Sequence, residues 1–401
     1  MNSVAERFLR YVTFDTMSDE DSPRCPSTEN QLALGKVLVE EMLAMGIEDA
    51  CMDEHGYVYG TVPGDPELPV IGLIAHMDTA PALTGANVNA KIVAYNGGDI
   101  LLNEQQQIYM RAADFESLAG HIGKHLIVTD GTTLLGADNK AGIAEILTAA
   151  QLLLESKERH ATLRIGFTPD EEIGRGADRF DVEKFGADYA YTVDGGLLGD
   201  LQYENFNAAG ATLVFNGISI HPGSAKNKMV NSQLVAMEFN TLLPVHQRPE
   251  STEGYEGFFH LTDMQGNEEK TTLRYIIRDH DMEKFILKKQ TMERAAAFLN
   301  EKYGENTVEL TIQDSYFNMR EKVEPCMYIV DRAKAAMEKL GITPVIVPIR
   351  GGTDGARLSF EGLPCPNLCT GGDNFHGRYE YIPVEDMEKV TQLLVRLLQD
   401  F

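Results

Sequence analysis

The segment "PVIGLIAHMD" (69–78) constrains the fold more than any other stretch of the chain. Its apolar run has no polar alternation, so it predicts a strand covered on both faces, as in a parallel sheet flanked by helices. "TLRIGFTP" (162–169) and "DYAYTVDG" (188–195) share the pattern. Helical periodicity lies between and before these runs. "LLGADNKAGIAEILTAAQLLLES" (134–156) passes from a loop into a long helix, with Ile143, Ile146, Leu147 and Leu153 facing inward. "STENQLALGKVLVEEMLAMG" (28–46) predicts another helix, capped by Ser27 or Thr28 and stopped at Gly46. A helix over 4–12 opens the fold. Strands alternating with helices predict a doubly wound, mostly parallel α/β catalytic domain.

The middle of the chain follows a different order. Strands are expected at 211–219, 258–265, 271–279 and 307–315, and helices at 231–243 and 282–304. That β-α-β-β-α-β succession is the order of a ferredoxin-like α+β unit. The expected organisation is therefore a first domain over 1–205, an inserted domain over 206–317, and the return of the first domain over 318–401.

Composition narrows the class of partner. The 401 residues carry 35 basic against 61 acidic side chains, a formal charge of −26. A nucleic-acid partner is not expected, since phosphate contacts need a basic footprint. The five cysteines (Cys25, Cys51, Cys326, Cys365, Cys369) are scattered and form no CxxC pair. They point to no cysteine-held zinc and to a reducing, cytoplasmic setting. The N-terminal stretch lacks a secretory pattern, and no apolar run nears the ~20 residues of a membrane span.

Residues able to bind metal cluster at the ends of the predicted strands. His76 and Asp78 follow "VIGLIA", Glu171 and Glu172 follow "IGFTP", and Asp194 ends "YAYTV". Asp138 lies where a loop feeds the long helix, and His376 lies in "GGDNFHGRYEY". Ligands of α/β sheets bind beyond the carboxyl ends of the strands. Each residue alone has an ordinary reading: Asp194 as a turn residue, Glu171–Glu172 as a solvated pair, His376 as a surface loop residue. Their co-occurrence in order is what carries chemistry. Histidine with carboxylates and no cysteine suits zinc, cobalt or manganese in a catalytic site. The acids are too many for one ion, so two ions sharing a carboxylate, about 3.5–4 Å apart, are expected.

The motifs "HMDTAP", "GADNKAG", "TPDEEIGRGAD", "YTVDGG", "SIHPGSAKNKMVN", "RGGTDGA" and "NFHGRYEY" together resemble those of the di-zinc aminoacylase/carboxypeptidase-type metallopeptidases. The resemblance runs over nearly the whole chain. It implies that His76, Asp138 and Asp194 hold one zinc, and that Asp138, Glu172 and His376 hold the other, with Asp138 bridging. It implies Glu171 as general base, Asp78 as the acid behind His76, and His221 of the inserted domain as a donor to the polarised carbonyl oxygen. Arg278 and Arg350 are candidates for the peptide carboxylate, and Lys226, Lys228 and Asn231 for the substrate entrance. Where the family often has a second Asp after the bridging one, this chain has Asn139. "HPGSAKNKMVN" and "RGGTDGA" favour an aminopeptidase acting on tripeptides. The metal residues themselves do not separate that activity from a dipeptidase, carboxypeptidase or N-acyl-amino-acid amidohydrolase. Relatives of this kind also pair through the inserted domain, so a homodimer is a further expectation.

Overall fold

A computed structural model describes residues 3–401. The chain divides into two compact units: Met1–Tyr203 with Glu321–Val347 and Thr353–Phe401, and Glu204–Arg320 with Pro348–Gly352.

The first unit is built on an eight-stranded mixed sheet. Its strand order is Cys51–Met52, Val58–Val62, Thr162–Thr168, Val70–His76, Tyr189–Val193, Asn367–Leu368, Asp200–Gln202, Val345–Ile346. The four central strands, Thr162–Thr168 through Asn367–Leu368, run parallel, and antiparallel pairs lie outside them. Tyr189–Val193 is buried throughout, and Val70–His76 at every position but its first. This double cover is what the unalternating apolar runs demand. The helix Ala137–Glu155 packs on Val70–His76, on Val4–Tyr11 and on the C-terminal helix Val384–Gln399. Gly142 permits the approach: a Cβ there would lie 2.1 Å from the Val193 carbonyl oxygen. The helix thus lies against the strand that delivers Asp194.

One helix start differs from expectation, and a second shows the expected passage from loop to helix. The second helix begins at Gln31, and Asn30 at its cap position makes no side-chain bond. Ser27 and Thr28 are engaged elsewhere: Ser27 with Asp170, Thr28 with the Met17 carbonyl. The long helix begins at Ala137, with Asp138 (φ −86°, ψ 102°) and Asn139 (φ −126°, ψ 34°) outside helical geometry. The residues between the strand at 76 and that helix also form structure that no apolar run announced. Lys91–Ala94, His125–Val128 and Tyr381–Pro383 make a three-stranded sheet, with a hairpin of Ile100–Asn103 and Ile108–Met110. Tyr95, Ile100, Leu102, Met110, Leu126 and Tyr381 form part of its separate core.

The second unit is a four-stranded antiparallel sheet in the order Phe258–Gly266, Lys270–Asp279, Asn207–Asn216, Val308–Tyr316. That is the ferredoxin-like arrangement, carrying the helices Ser232–Leu242 and Met282–Tyr303. Phe215, Phe239, Tyr275, Phe285 and Leu299 are buried within it. Among the described residues no helix is long and apolar enough to cross a membrane.

Candidate metal centre

Five separate segments of the first unit converge on one cluster. Two groups of side chains could each hold an ion: His76, Asp138 and Asp194, and Asp138, Glu172 and His376. Asp138 belongs to both. Its Oδ1 lies 2.9 Å from His76 Nε2, and its Oδ2 lies 3.1 Å from His376 Nε2. His76 Nε2 is 3.5 Å from Asp194 Oδ1, and His376 Nε2 is 3.0 Å from Glu172 Oε2. Glu171 turns the other way from its neighbour, placing Oε2 3.9 Å from His76 Nε2. The parallel register explains the meeting, because His76 pairs with Thr168 at the same end of the sheet.

The cluster is crowded with charge in a buried setting. Burial pushes Glu171 well above the usual carboxylate range, and Asp194, Asp354 and Glu172 add to the push. Burial and the Asp138 charge raise Glu172 to about 7, and the same two causes raise Asp194. Burial also acts upward on Asp138, but hydrogen bonds from His376 and His76 outweigh it and hold the group far below its ordinary value. Hydrogen bonds to Asp138 and Glu172 raise His376 to about 11. Burial opposes the charged form of His76, yet Asp194, Asp138 and Asp78 raise it well above 6.5. Glu172 Oε1 is buried without a hydrogen-bond partner among the described residues. Nitrogen and oxygen donors, two triads meeting on one carboxylate, mutual repulsion and an orphaned oxygen fit a pair of divalent cations.

Buried acids around the cluster fix its loops. Asp78, fully buried, accepts the backbone N–H of Glu171 (3.0 Å) and of Glu172 (3.1 Å). Its backbone carbonyl oxygen is the hydrogen-bond partner of His76 Nδ1 at 3.0 Å, with Oδ1 at 3.3 Å, so one residue sets the imidazole and the acid pair together. Asp170 accepts Ser27 N (2.7 Å), Ser27 Oγ (2.5 Å) and Gln31 Nε2 (2.7 Å), anchoring the turn before the pair. Sequence reasoning overlooked two more. Asp354 accepts Thr168 Oγ1 at 2.7 Å, and burial raises its carboxyl to about 7. Gly176 is what admits it, since a Cβ there would meet Asp354 Oδ1 at 2.1 Å. Glu380 accepts three backbone N–H groups of the loop that leads to Asp138. Both lie inside quoted motifs, "RGGTDGA" and "NFHGRYEY", which had drawn notice for other residues. Both amide atoms of Asn139 are buried without a partner among the described residues, and nothing in the structure explains Asn at this place.

The remaining candidates lie in the second unit. His221 is exposed at the start of a short turn, where Nδ1 accepts Gly223 N at 3.2 Å. Asn231 Oδ1 caps the helix Ser232–Leu242 through Gln233 N and Leu234 N. Lys226 and Lys228 are exposed. Arg278 donates through Nη1 to the carbonyls of Ala209 and Ile277 and lies 5.4 Å from the Tyr316 ring centre. Arg350 is more fully engaged: it donates to Gly254 O (2.7 Å), Glu256 O (3.0 Å) and Thr252 Oγ1 (3.0 Å), beside the rings of Phe206 and Phe258.

The family model of Peptidase family M20/M25/M40 matches residues 130–400, and the chain belongs to that family. It is accordingly a peptidase, a hydrolase of the metallopeptidase type. Within the family it is similar to peptidase T. The peptidase T of Alkaliphilus oremlandii (strain OhILAs) is 56% identical over 405 residues, covering 100% of this chain and 99% of the relative. That of Bacillus subtilis (strain 168) is 54% identical over 402 residues, covering 99% and 98%. The solved aminopeptidase PepT from Bacillus cereus ATCC 10987 shares the fold, with TM-score 0.78 at 23% identity over 99% of this chain and 97% of that one.

Proposed function

We propose that this chain is an aminopeptidase that releases the N-terminal residue of tripeptides with the help of two divalent cations, zinc first, with cobalt or manganese as alternatives. The observation that carries the reading is the meeting of two donor triads on Asp138. The peptidase T relatives and the motifs of the second unit support tripeptides as the substrate class. Five free cysteines support a reducing, cytoplasmic setting.

His76, Asp138 and Asp194 would hold one ion, and Asp138, Glu172 and His376 the other. Such a pair, when bound, would lower the pKa of a bound water towards about 7 and polarise the scissile carbonyl. Glu171 takes the water's proton on its carboxylate and returns it to the leaving amine. Asp78 keeps His76 in the tautomer that leaves Nε2 free for the metal. His221 is the candidate donor of a hydrogen bond to the carbonyl oxygen as negative charge builds there. Arg278 binds the C-terminal carboxylate of the peptide and so measures its length.

The test is a product assay on di-, tri- and tetrapeptides and on N-acyl amino acids, with zinc or cobalt supplied. Tripeptides should yield one free amino acid and a dipeptide, at least about tenfold faster than the other substrates. Intact tripeptides beside cleaved N-acyl amino acids would overturn the reading in favour of an amidohydrolase.

A further inference from the structure

We infer that Glu380 is a positioning residue that sets the distance between His376 and Asp138, and with it the affinity of the second metal ion. The inference rests on the two-ion reading above and goes beyond its ligands. Glu380 is 1% exposed. Its Oε2 accepts Leu135 N at 2.7 Å and Gly136 N at 2.9 Å, and its Oε1 accepts Asp138 N at 3.0 Å. These donors belong to the loop and first turn of the long helix, where backbone N–H groups have no partner within the helix. Asp138 and Asn139 depart from helical geometry there, so the helix itself does not fix Asp138. Glu380 does, through a carboxylate at the positive end of the helix.

The same residue is tied closely to His376. Asp373 and Tyr381 exchange two backbone hydrogen bonds, 3.0 and 3.1 Å, and close the loop between them. Asn374 Nδ2 donates to Tyr379 O at 3.1 Å inside that loop. Tyr381 then enters the strand paired with His125–Val128. Glu380 therefore sits on a closed loop four positions after His376, while its carboxylate grips the segment carrying Asp138, 242 residues away. One side chain joins the two segments whose ligands meet at 3.1 Å. Asp138 serves both triads whereas His376 serves the second alone, so loss of Glu380, which joins these two segments, falls hardest on the second triad.

The experiment titrates metal-stripped full-length protein with zinc alone by calorimetry, with unfolding temperature and kinetics measured alongside. Wild type, Glu380→Gln and Glu380→Ala are compared. Glu380→Gln keeps shape and one acceptor while setting an amide N–H₂ against a backbone donor, so it remains informative if Glu380→Ala fails to fold. Wild type should bind two ions. The variants should bind the second ion about 10–100-fold more weakly and the first with a clearly smaller loss. Their kcat should fall with occupancy and recover at high zinc, with KM unchanged. Two ions bound as in wild type would overturn the inference. So would equal weakening of both ions together with a lowered unfolding temperature, which marks a role in the fold alone. A wild type binding fewer than two ions would overturn the two-ion reading, and the inference with it.

Discussion

Asp170 takes a left-handed backbone conformation at φ +60°, and the chain then enters the short turn Glu171–Ile173. That bend separates three adjacent acids by direction: Asp170 towards Ser27 and Gln31, Glu171 towards His76, Glu172 towards His376. The motif was legible in the sequence, but the task of Asp170 was not, because its partners lie 139 and 143 residues away. The two arginines separate at the same scale. Arg350→Ala should lower stability by about 1–3 kcal/mol through four lost acceptor contacts, seen as a lower unfolding temperature. Arg278→Ala should raise KM for tripeptides with little change in unfolding temperature. The reverse pattern in the two variants would exchange their roles. Glu145 offers a titration test. It is fully buried on the long helix, and neither carboxyl oxygen has a partner among the described residues. Burial, with help from Asp386, raises its pKa well above 4.5. The folded state then keeps a proton that the unfolded chain loses above 4.5, so stability falls as pH rises from there towards the folded pKa. The slope within that window is at most about 1.4 kcal/mol per pH unit. Glu145→Gln should remove that slope, so its unfolding free energy should gain on wild type between pH 5 and 8. Parallel curves would show that Glu145 is not held neutral.

At the scale of elements, the central strands and the helices of the second unit were readable because burial on both faces and helical periodicity leave direct marks. Val70–His76, Thr162–Thr168 and Tyr189–Val193 fall within the apolar runs that announced them. The small sheet of Lys91–Ala94, His125–Val128 and Tyr381–Pro383 left no such mark. Its strands are three or four residues long, and one comes from 253 positions beyond its neighbour's end. Nothing in the sequence marked Pro348–Gly352 as part of the second unit either. The helix start at 28–31 was misread because Ser27 and Thr28, good capping residues, are held by contacts outside the helix. Packing between elements also sets the site. Gly142→Ala would drive a methyl group against the Val193 carbonyl, pushing the helix from the strand and Asp138 from Asp194. The expected result is a loss of roughly 1–3 kcal/mol together with weakened metal binding. Unchanged zinc affinity in a folded Gly142→Ala protein would contradict this account of the site.

For the whole molecule, the cation pair is expected to act as a structural element as well as a reagent. Four carboxylates and two imidazoles are gathered at one edge of the sheet. Ions that bind the folded state alone stabilise it by about 2.7 kcal/mol at a hundredfold excess over Kd. Chelation should therefore lower the unfolding temperature as it abolishes turnover, and added zinc should restore both. The division of labour between Glu171 and Glu172 is the centre of the account, because repulsion alone would permit either order. The direct measurement is the metal content and turnover of Glu171→Gln beside Glu172→Gln. The account predicts that Glu171→Gln keeps two ions while kcat falls by about 10²–10⁴, and that Glu172→Gln loses one ion. Loss of an ion from Glu171→Gln with full occupancy in Glu172→Gln would reverse the assignment and contradict the account.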